Sequence, residues 1–189
     1  MDRLRQAIYQ QVQAVEPFDA AEAKERDEIS HWLQSDAPIF RIQKPANPRK
    51  HLVSYFALYD PAARKVLLIE HNRAKTWLIN GGHVDMDEDP RDAARRECME
   101  ELGVSALFWQ DKPEPLFVSA TQTINESPEA THTDICLWYV LEGQVSMPLR
   151  WDQSEFSNVT WTEVSEVAEN GTYFEPLRRF CTKLRAQGT

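Results

Sequence analysis

Three glutamates lie close together at positions where a helix would bring them onto one face. Residues three and four apart share a face of an α-helix, so Glu97 would lie over both Glu100 and Glu101. Like charges at this spacing weaken an isolated helix, and a bound cation would offset their repulsion. Because the ligand atoms are all oxygens, the spacing predicts a hard divalent cation, Mg²⁺ or Mn²⁺.

The glutamates belong to a longer pattern that covers residues 82–104. The fixed positions of this pattern are Gly82, Glu88, Arg96, Glu97, Glu100, Glu101 and Gly103. Their spacing resembles the complete Nudix box. Cys98 occupies a position of apolar type, where a free cysteine acts as a small hydrophobic residue. So many fixed positions make this match far more specific than a lone glycine-rich motif.

The resemblance implies which residues bind the metal and carry the catalysis. Glu97, Glu100 and Glu101 are implied to be both the catalytic residues and the metal ligands. The carbonyl of Gly82 is implied to join them as a further ligand. Each glutamate also has a simpler interpretation as part of a solvated charged face, which would not explain the whole pattern at once.

The resemblance also implies residues that support the metal site. Glu88 and Arg96 are expected to pair and to hold the preceding loop against the helix, and the alternative for Glu88 is contact with the metal. Because Arg96 is adjacent to Glu97 in sequence, we expect it to point away from the glutamate stripe. Gly81 and Gly82 are interpreted as conformational glycines in a tight loop, formed with Asn80, that brings the backbone close to a ligand.

The reaction implied by the resemblance is cleavage of a phosphoanhydride in a nucleoside diphosphate linked to another group. Water attacks one phosphorus, and metal ions that bridge phosphate oxygens supply much of the electrostatic stabilisation. Either a box carboxylate or a glutamate from a later loop orients or deprotonates the water. Glu126 and Glu129 lie in a polar loop and are candidates for that outside base.

Four residues outside the predicted helix are candidates for substrate contact: Trp77, His83, His132 and Asp134. Strand alternation puts His132 and Asp134 on one face, with Asp134 near metal-bound water and His132 near a phosphate or base. The alternative is a solvated pair at a strand start. Trp77 either stacks on a base or packs in the core, and His83 either contacts the substrate or caps the glycine loop.

Other polar residues offer weaker signals for substrate binding. Asn80 occupies a place where many relatives carry proline, which changes the expected rigidity of the glycine loop. Four basic residues are possible phosphate contacts, although each one singly is better interpreted as a surface charge: Arg41, Lys44, Arg73 and Lys75.

The elements around the box indicate the fold class. Runs rich in β-formers predict strands at 52–59, 65–70, 76–79, 104–110, 115–123, 132–141 and 157–162. Asp89 as N-cap and Pro90 at the first position begin the box helix, which ends at Gly103. Helices follow at 163–169 and from Phe174. This order resembles the Nudix α/β/α sandwich with a mixed β-sheet and an N-terminal helical extension.

Residues 1–48 are predicted to be a helical extension and connector, and residues 49–189 the Nudix hydrolase domain. Apolar residues at helical spacing predict a first helix, which ends before Pro17. Asp19 with Glu22 three residues later predicts the start of a second. The extension either packs on the main domain or forms a homodimer, and a lid is the alternative.

The composition limits the partners of this chain. Its net charge is −9, with 21 Lys and Arg against 30 Asp and Glu, so binding to nucleic acid is not expected. A small nucleotide-type substrate remains compatible, because a local metal holds it. No apolar run is long enough to span a membrane, and three widely spaced cysteines favour a reduced, cytoplasmic protein.

Three classes of function fit a box of this kind. A metal-dependent pyrophosphohydrolase requires every box glutamate, and all are present. A non-catalytic nucleotide-sensing module of the same fold is expected to lose glutamates or to carry a DNA-binding domain. An isoprenoid diphosphate isomerase is expected to have a degenerate box. Among hydrolase substrates, capped RNA is the weakest candidate, since the chain has no basic tract.

Overall fold

A mixed β-sheet forms the centre of the computed structural model, which describes residues 1–44, 46–72, 75–123 and 130–188. Seven strands lie within these ranges: β1 (Lys50–Asp60), β2 (Lys65–His71), β3 (Thr76–Leu78), β4 (Asn80–His83), β5 (Phe117–Thr123), β6 (His132–Glu142) and β7 (Phe156–Glu163). The strand order is β3-β2-β1-β6-β5, with β4 paired to β1 and β7 paired to β2.

The parallel pairing of β1 with β6 aligns the two central strands. Their register places His51 opposite Asp134 and Leu52 opposite Ile135. The neighbouring pairs β1–β4 and β5–β6 are antiparallel, and they bring His83 opposite Val53. The start of β1, the end of β4 and the start of β6 therefore meet at one end of the sheet.

Helices cover both faces of the sheet: α1 (Arg3–Ala14), α2 (Ala20–Gln34), α3 (Pro90–Leu102), α4 (Val164–Glu169) and α5 (Glu175–Gln187). Side chains of β6 alternate between the faces. Ile135 and Leu137 pack with residues of α1, α2 and α3, whereas Cys136 and Trp138 pack with residues of α4 and α5. The predicted α/β/α sandwich with a mixed sheet is confirmed.

The glutamate helix α3 begins and ends where the sequence predicts. The Asp89 carboxylate accepts a hydrogen bond from the backbone N–H of Arg91, and Pro90 occupies the first turn. Gly103 ends the helix with a φ of 68°, a left-handed conformation that strains any residue with a Cβ. Cys98 lies on the buried side of the helix, which leaves the glutamates on its other faces.

The predicted N-terminal helices are present as α1 and α2. Asp19 caps α2 by accepting from the backbone N–H of Glu22. Ile8 and Val12 of α1 are fully buried in the core that α3 shares. On the other side, the Glu22 carboxylate lies 2.7 Å from Nζ of Lys183 on α5. The two helices thus pass around the β5 edge and connect the two helical layers.

Two predicted elements are wrong. Residues 80–82, predicted to be a tight loop, belong to strand β4, which is in register with β1. Residues 104–110, predicted to be a strand, form a segment with one isolated bridge, between Phe108 and Leu141, followed by a 3-10 turn at Trp109–Asp111. Positive φ values at Gln110 and Asp111 are incompatible with a continued strand.

None of the described helices is both long and apolar enough to cross a lipid bilayer.

Candidate functional site

Two glycines of strand β4 lie in close contact with neighbouring elements. A Cβ placed at Gly82 would collide with the carboxylate of Glu97, and a Cβ at Gly81 would overlap the backbone and side chain of Tyr55. Neither glycine has a positive φ in the structure. The interpretation of these two residues as conformational glycines is therefore wrong, because steric approach is the reason for them.

Arg96 donates hydrogen bonds to three of the glutamates. Its Nε and Nη2 donate to the two Glu88 oxygens at 2.8 and 2.9 Å, a bidentate pair that matches the predicted support role. Its Nη1 also donates to Glu97 at 2.8 Å and to Glu100 at 3.1 Å. The expectation that Arg96 points away from the stripe is wrong, since its long side chain folds back over it.

The same guanidinium ties the preceding segment to the helix. Arg96 Nη2 donates to the backbone carbonyl of His83 at 3.3 Å. Burial raises the pKa of Glu88, but hydrogen bonds from Arg96 and from the backbone of Asp85 outweigh this effect, and the pKa lies below its usual value. Glu88 is therefore ionised and fixed in place at neutral pH.

Glu101 and Glu97 are carboxylates held in a site that disfavours their charge. Burial raises the pKa of Glu101 to about 8, and the nearby charges of Glu97 and Glu155 add to this effect. Asn80 Nδ2 donates to Glu101 at 2.9 Å and acts in the opposite direction. Burial likewise raises the pKa of Glu97. Both shifts show carboxylates with too little positive charge around them.

The resulting site, here called the glutamate cluster, consists of Glu88, Glu97, Glu100 and Glu101. The single guanidinium of Arg96 is the positive group that contacts it among the described residues. Arg96 pairs with three of these four carboxylates, so the negative charge of the cluster exceeds the positive charge that contacts it. The structure thus brings together all the predicted box residues, with Gly82 against Glu97.

Sequence reasoning missed two residues at this site. Asn80 was considered only as a replacement for proline, yet it is buried and its amide fixes Glu101. Glu155 is exposed and close enough to Glu101 to raise its pKa. The sequence around Asn80 and Glu155 does not indicate a role for either residue. Only the folded chain brings β4 and the segment before β7 next to the glutamate cluster.

A cavity of about 550 Å³ opens beside the glutamate cluster. Glu101 and Asp134 both line it, and its wall includes the aromatic side chains of Phe156, Tyr173 and Phe174. A concave site of this size with apolar walls and a few polar groups is typical of small-molecule binding. The remaining substrate candidates, Trp77, His83 and His132, are not among its lining residues.

The substrate candidates other than Trp77 form a second polar group with His51, which sequence reasoning missed. Nε2 of His51 lies 3.4 Å from Asp134 Oδ1, and Nε2 of His132 lies 3.2 Å from the same oxygen. The rings of His51 and His83 are 5.0 Å apart. Trp77 is half-buried on β3 and packs against the core beneath α5.

The structure describes only some of the residues predicted as phosphate contacts or as a general base outside the box. Arg41 is partly buried, and its positive charge contributes to the lowered pKa of His83. Lys44 and Lys75 are exposed, as expected of surface charges. Arg73, Glu126 and Glu129 lie outside the described residues.

Comparison with known proteins identifies the fold and the family. The NUDIX domain family model matches residues 48–182. Dihydroneopterin triphosphate pyrophosphohydrolase of E. coli is similar with a TM-score of 0.58 and 14% identity, over 72% of this chain and 95% of that one. A C. elegans Ap4A hydrolase in a binary complex has a TM-score of 0.56 and 18% identity, over 72% and 96%.

A third similar structure is a Nudix family hydrolase from Clostridium perfringens, with a TM-score of 0.53 and 21% identity over 72% of this chain and 97% of that one. At these identities the solved structures establish the fold alone. No curated protein matches the sequence significantly.

Proposed function

The chain belongs to the Nudix family, and on that premise we propose that it hydrolyses a phosphoanhydride bond in a nucleoside diphosphate linked to another group, with Mg²⁺ or Mn²⁺ as cofactor. The observation that carries the proposal is the glutamate cluster beside the cavity. Family membership supports a pyrophosphohydrolase that acts on nucleoside diphosphate derivatives in general. The identity of the cation and the residue roles are part of the proposal.

The donor set of the glutamate cluster fits a hard divalent cation. We assign the carboxylates of Glu97, Glu100 and Glu101 and the carbonyl of Gly82 as its ligands. The raised pKa values of Glu97 and Glu101 support this assignment, because a cation would stabilise the ionised form of both. When bound, such a cation neutralises charge on phosphate oxygens and orients them for attack.

The chain's own residues then have distinct roles. Glu101 is the box glutamate that lines the cavity, and it is placed to accept a proton from water there. Asn80 keeps that carboxylate in position through its 2.9 Å hydrogen bond. Glu88 and Arg96 hold the segment before α3 against the helix and so fix the distance between β4 and the glutamates.

The cavity supports a substrate of nucleotide size. Its volume of about 550 Å³ lies in the range of small-molecule sites, and its aromatic wall offers stacking surfaces for a base. Asp134 lines this cavity and is the substrate contact that geometry favours most. His83, His132 and Trp77 stay as proposed contacts at its periphery. The net charge of −9 supports a small substrate over RNA.

A substrate panel tests the proposal. The purified protein is incubated with Mg²⁺ or Mn²⁺ and nucleoside triphosphates, dinucleoside polyphosphates, nucleotide sugars, ADP-ribose and dinucleotide cofactors. Released phosphate is measured after phosphatase coupling. We expect turnover of at least one member, and loss of that turnover with EDTA. Tight nucleotide binding without turnover with either metal would overturn the proposal in favour of a sensing module.

We also propose a reduced, cytoplasmic setting, supported by three buried cysteines that are all free thiols. A homodimer through α1 and α2 is the remaining proposal about partners. The buried faces of these helices pack within their own chain, so a dimer would have to use their outer faces. A monomeric sedimentation mass would exclude it.

A further inference from the structure

The group of His51, His83, His132 and Asp134, here called the histidine cluster, shares no residue with the glutamate cluster, although Asp134 and Glu101 line the same cavity. Strand alternation puts His51 and Asp134 on the face that α5 covers, whereas Gly82 faces α3. One ligand-type atom from each of the four side chains lies within 4.8 Å of all the others.

The hydrogen bonds made by two of the rings fix which nitrogen faces the cluster. Nδ1 of His51 lies 2.8 Å from the carbonyl of Pro48, and Nδ1 of His132 lies 2.6 Å from the carbonyl of Ala130. A carbonyl only accepts, so Nδ1 carries the hydrogen in each ring. In the neutral form, Nε2 of each ring is then a lone pair directed at Asp134.

The cluster therefore brings together buried polar atoms that lack a hydrogen-bond partner. These atoms are His51 Nε2, His83 Nε2 and Asp134 Oδ1. The His51 side chain is fully buried, so bulk solvent does not reach it. Unpartnered buried polar atoms are costly and are rare without a ligand, water or ion to satisfy them.

We propose that the histidine cluster binds one divalent transition-metal ion, with Zn²⁺ as the favoured ion. Three imidazole nitrogens and one carboxylate oxygen suit Zn²⁺, whereas Mg²⁺ prefers oxygen alone. In a tetrahedral zinc site neighbouring ligand atoms are about 3.3 Å apart. The distances from Asp134 Oδ1 to His51 and His132, 3.4 and 3.2 Å, match this edge.

The surroundings of the rings have features of a metal site. A ligating histidine usually donates its other N–H to a carbonyl or carboxylate, as His51 and His132 do here. Metal ligation requires these imidazoles to be neutral. Arg41 adds positive charge near His83, which the coordinate bonds must outweigh.

Four protein ligands leave no open position, so the site is structural rather than catalytic, and this role would replace the direct substrate contacts proposed above for His83 and His132. It would join the connector at Pro48 to the start of β6. It would also fix Asp134, whose Oδ2 accepts from Thr123 Oγ1 at 2.9 Å and which lines the cavity. The ion thus acts as a positioning element for one wall of the proposed substrate site.

Zinc binding by the full chain tests this inference. The protein is freed of metal with a chelator and titrated with Zn²⁺ against a chromophoric competitor, and Co²⁺ is added separately to record its visible absorption. We expect one Zn²⁺ per chain and the intense Co²⁺ bands of a four-coordinate site. His132→Asn and Asp134→Asn should each weaken zinc binding more than about 100-fold.

Two controls separate this site from others. His31→Asn changes an exposed histidine of α2 and should leave zinc affinity unchanged. Glu97→Gln, which removes a proposed ligand of the glutamate cluster, should also leave it unchanged, so a failure of the proposed hydrolase function does not affect this result.

Three outcomes would overturn the inference. The first is wild-type protein that binds no Zn²⁺, Co²⁺ or Ni²⁺. The second is zinc affinity that survives both cluster substitutions. The third is zinc affinity lost in Glu97→Gln alone, which would assign the ion to the glutamate cluster.

Discussion

Replacing Glu101 with glutamine should stabilise the metal-free protein at alkaline pH. Glu101 is a carboxyl whose pKa is raised to about 8 by burial and by neighbouring carboxylates. The folded state therefore holds its proton more tightly than the unfolded chain does. Stability from this group is present below the unfolded pKa near 4.5, and it is lost as pH rises through about 8.

The size of the stability change follows from the pKa shift of Glu101. A rise from 4.5 to about 8 corresponds to an upper limit of about 5 kcal/mol of destabilisation above pH 8. Solvent access and relaxation reduce this to about 2–3 kcal/mol. For a chain of this length that is a rise in Tm of about 4–10 °C for the variant. Near pH 5 the two proteins should be about equally stable.

The assay is thermal and urea unfolding in EDTA at several values between pH 5 and 9. The matched control is Glu100→Gln, the same substitution one residue earlier, where the side chain is 59% exposed. We expect this control to follow the wild-type pH dependence. The reasoning is refuted if Glu101→Gln is no more stable than wild type at pH 8.5, or if it keeps the same pH dependence.

Further substitutions test how the cluster is held. Arg96→Ala should destabilise the fold by about 2–3 kcal/mol in urea unfolding, because it leaves partly buried carboxylates unpaired; wild-type stability would contradict this. Gly82→Ala should lower kcat/KM at least about 100-fold by displacing a glutamate, whereas Gly171→Ala, in open space, should not. Gln11→Ala should cost about 1–3 kcal/mol, since it breaks bonds to the α3 N-cap and a buried tyrosine; equal loss in exposed Gln10→Ala would refute this.

The sequence was sufficient for the parts of the site that local signals determine. Asp89, Pro90 and Gly103 set the bounds of α3, because caps act within one turn of a helix. The spacing of Glu97 and Glu101 then placed both on one side of that helix. These predictions required no knowledge of the rest of the chain.

The parts that sequence reasoning missed depend on contacts between distant segments. His51 reaches Asp134 only through the parallel register of β1 and β6, across more than eighty residues. Gly82 lies in a strand because β4 pairs with β1, which also places it against Glu97 of α3. Asn80 reaches Glu101 through the same placement of β4 beside α3. Strand partners of this kind are not visible in local patterns.

Arg96 shows that helical spacing alone does not predict the contacts of a long side chain. Helical spacing describes where a Cβ points, and it correctly separates residues 96 and 97 in direction. A guanidinium at the end of a long side chain nevertheless reaches Glu97 at 2.8 Å and Glu88 at the same time. Spacing arguments therefore work well for short side chains and less well for arginine.

The most direct test of the account is the Mg²⁺ dependence of kcat/KM on the best substrate of the panel, measured for wild type and for Glu101→Gln. We predict that wild-type kcat/KM rises to saturation with Mg²⁺ and that the variant loses at least about 1000-fold while staying folded. Wild-type turnover that persists unchanged in EDTA, or full activity in the variant, would contradict the assignment of the glutamate cluster as the catalytic metal site.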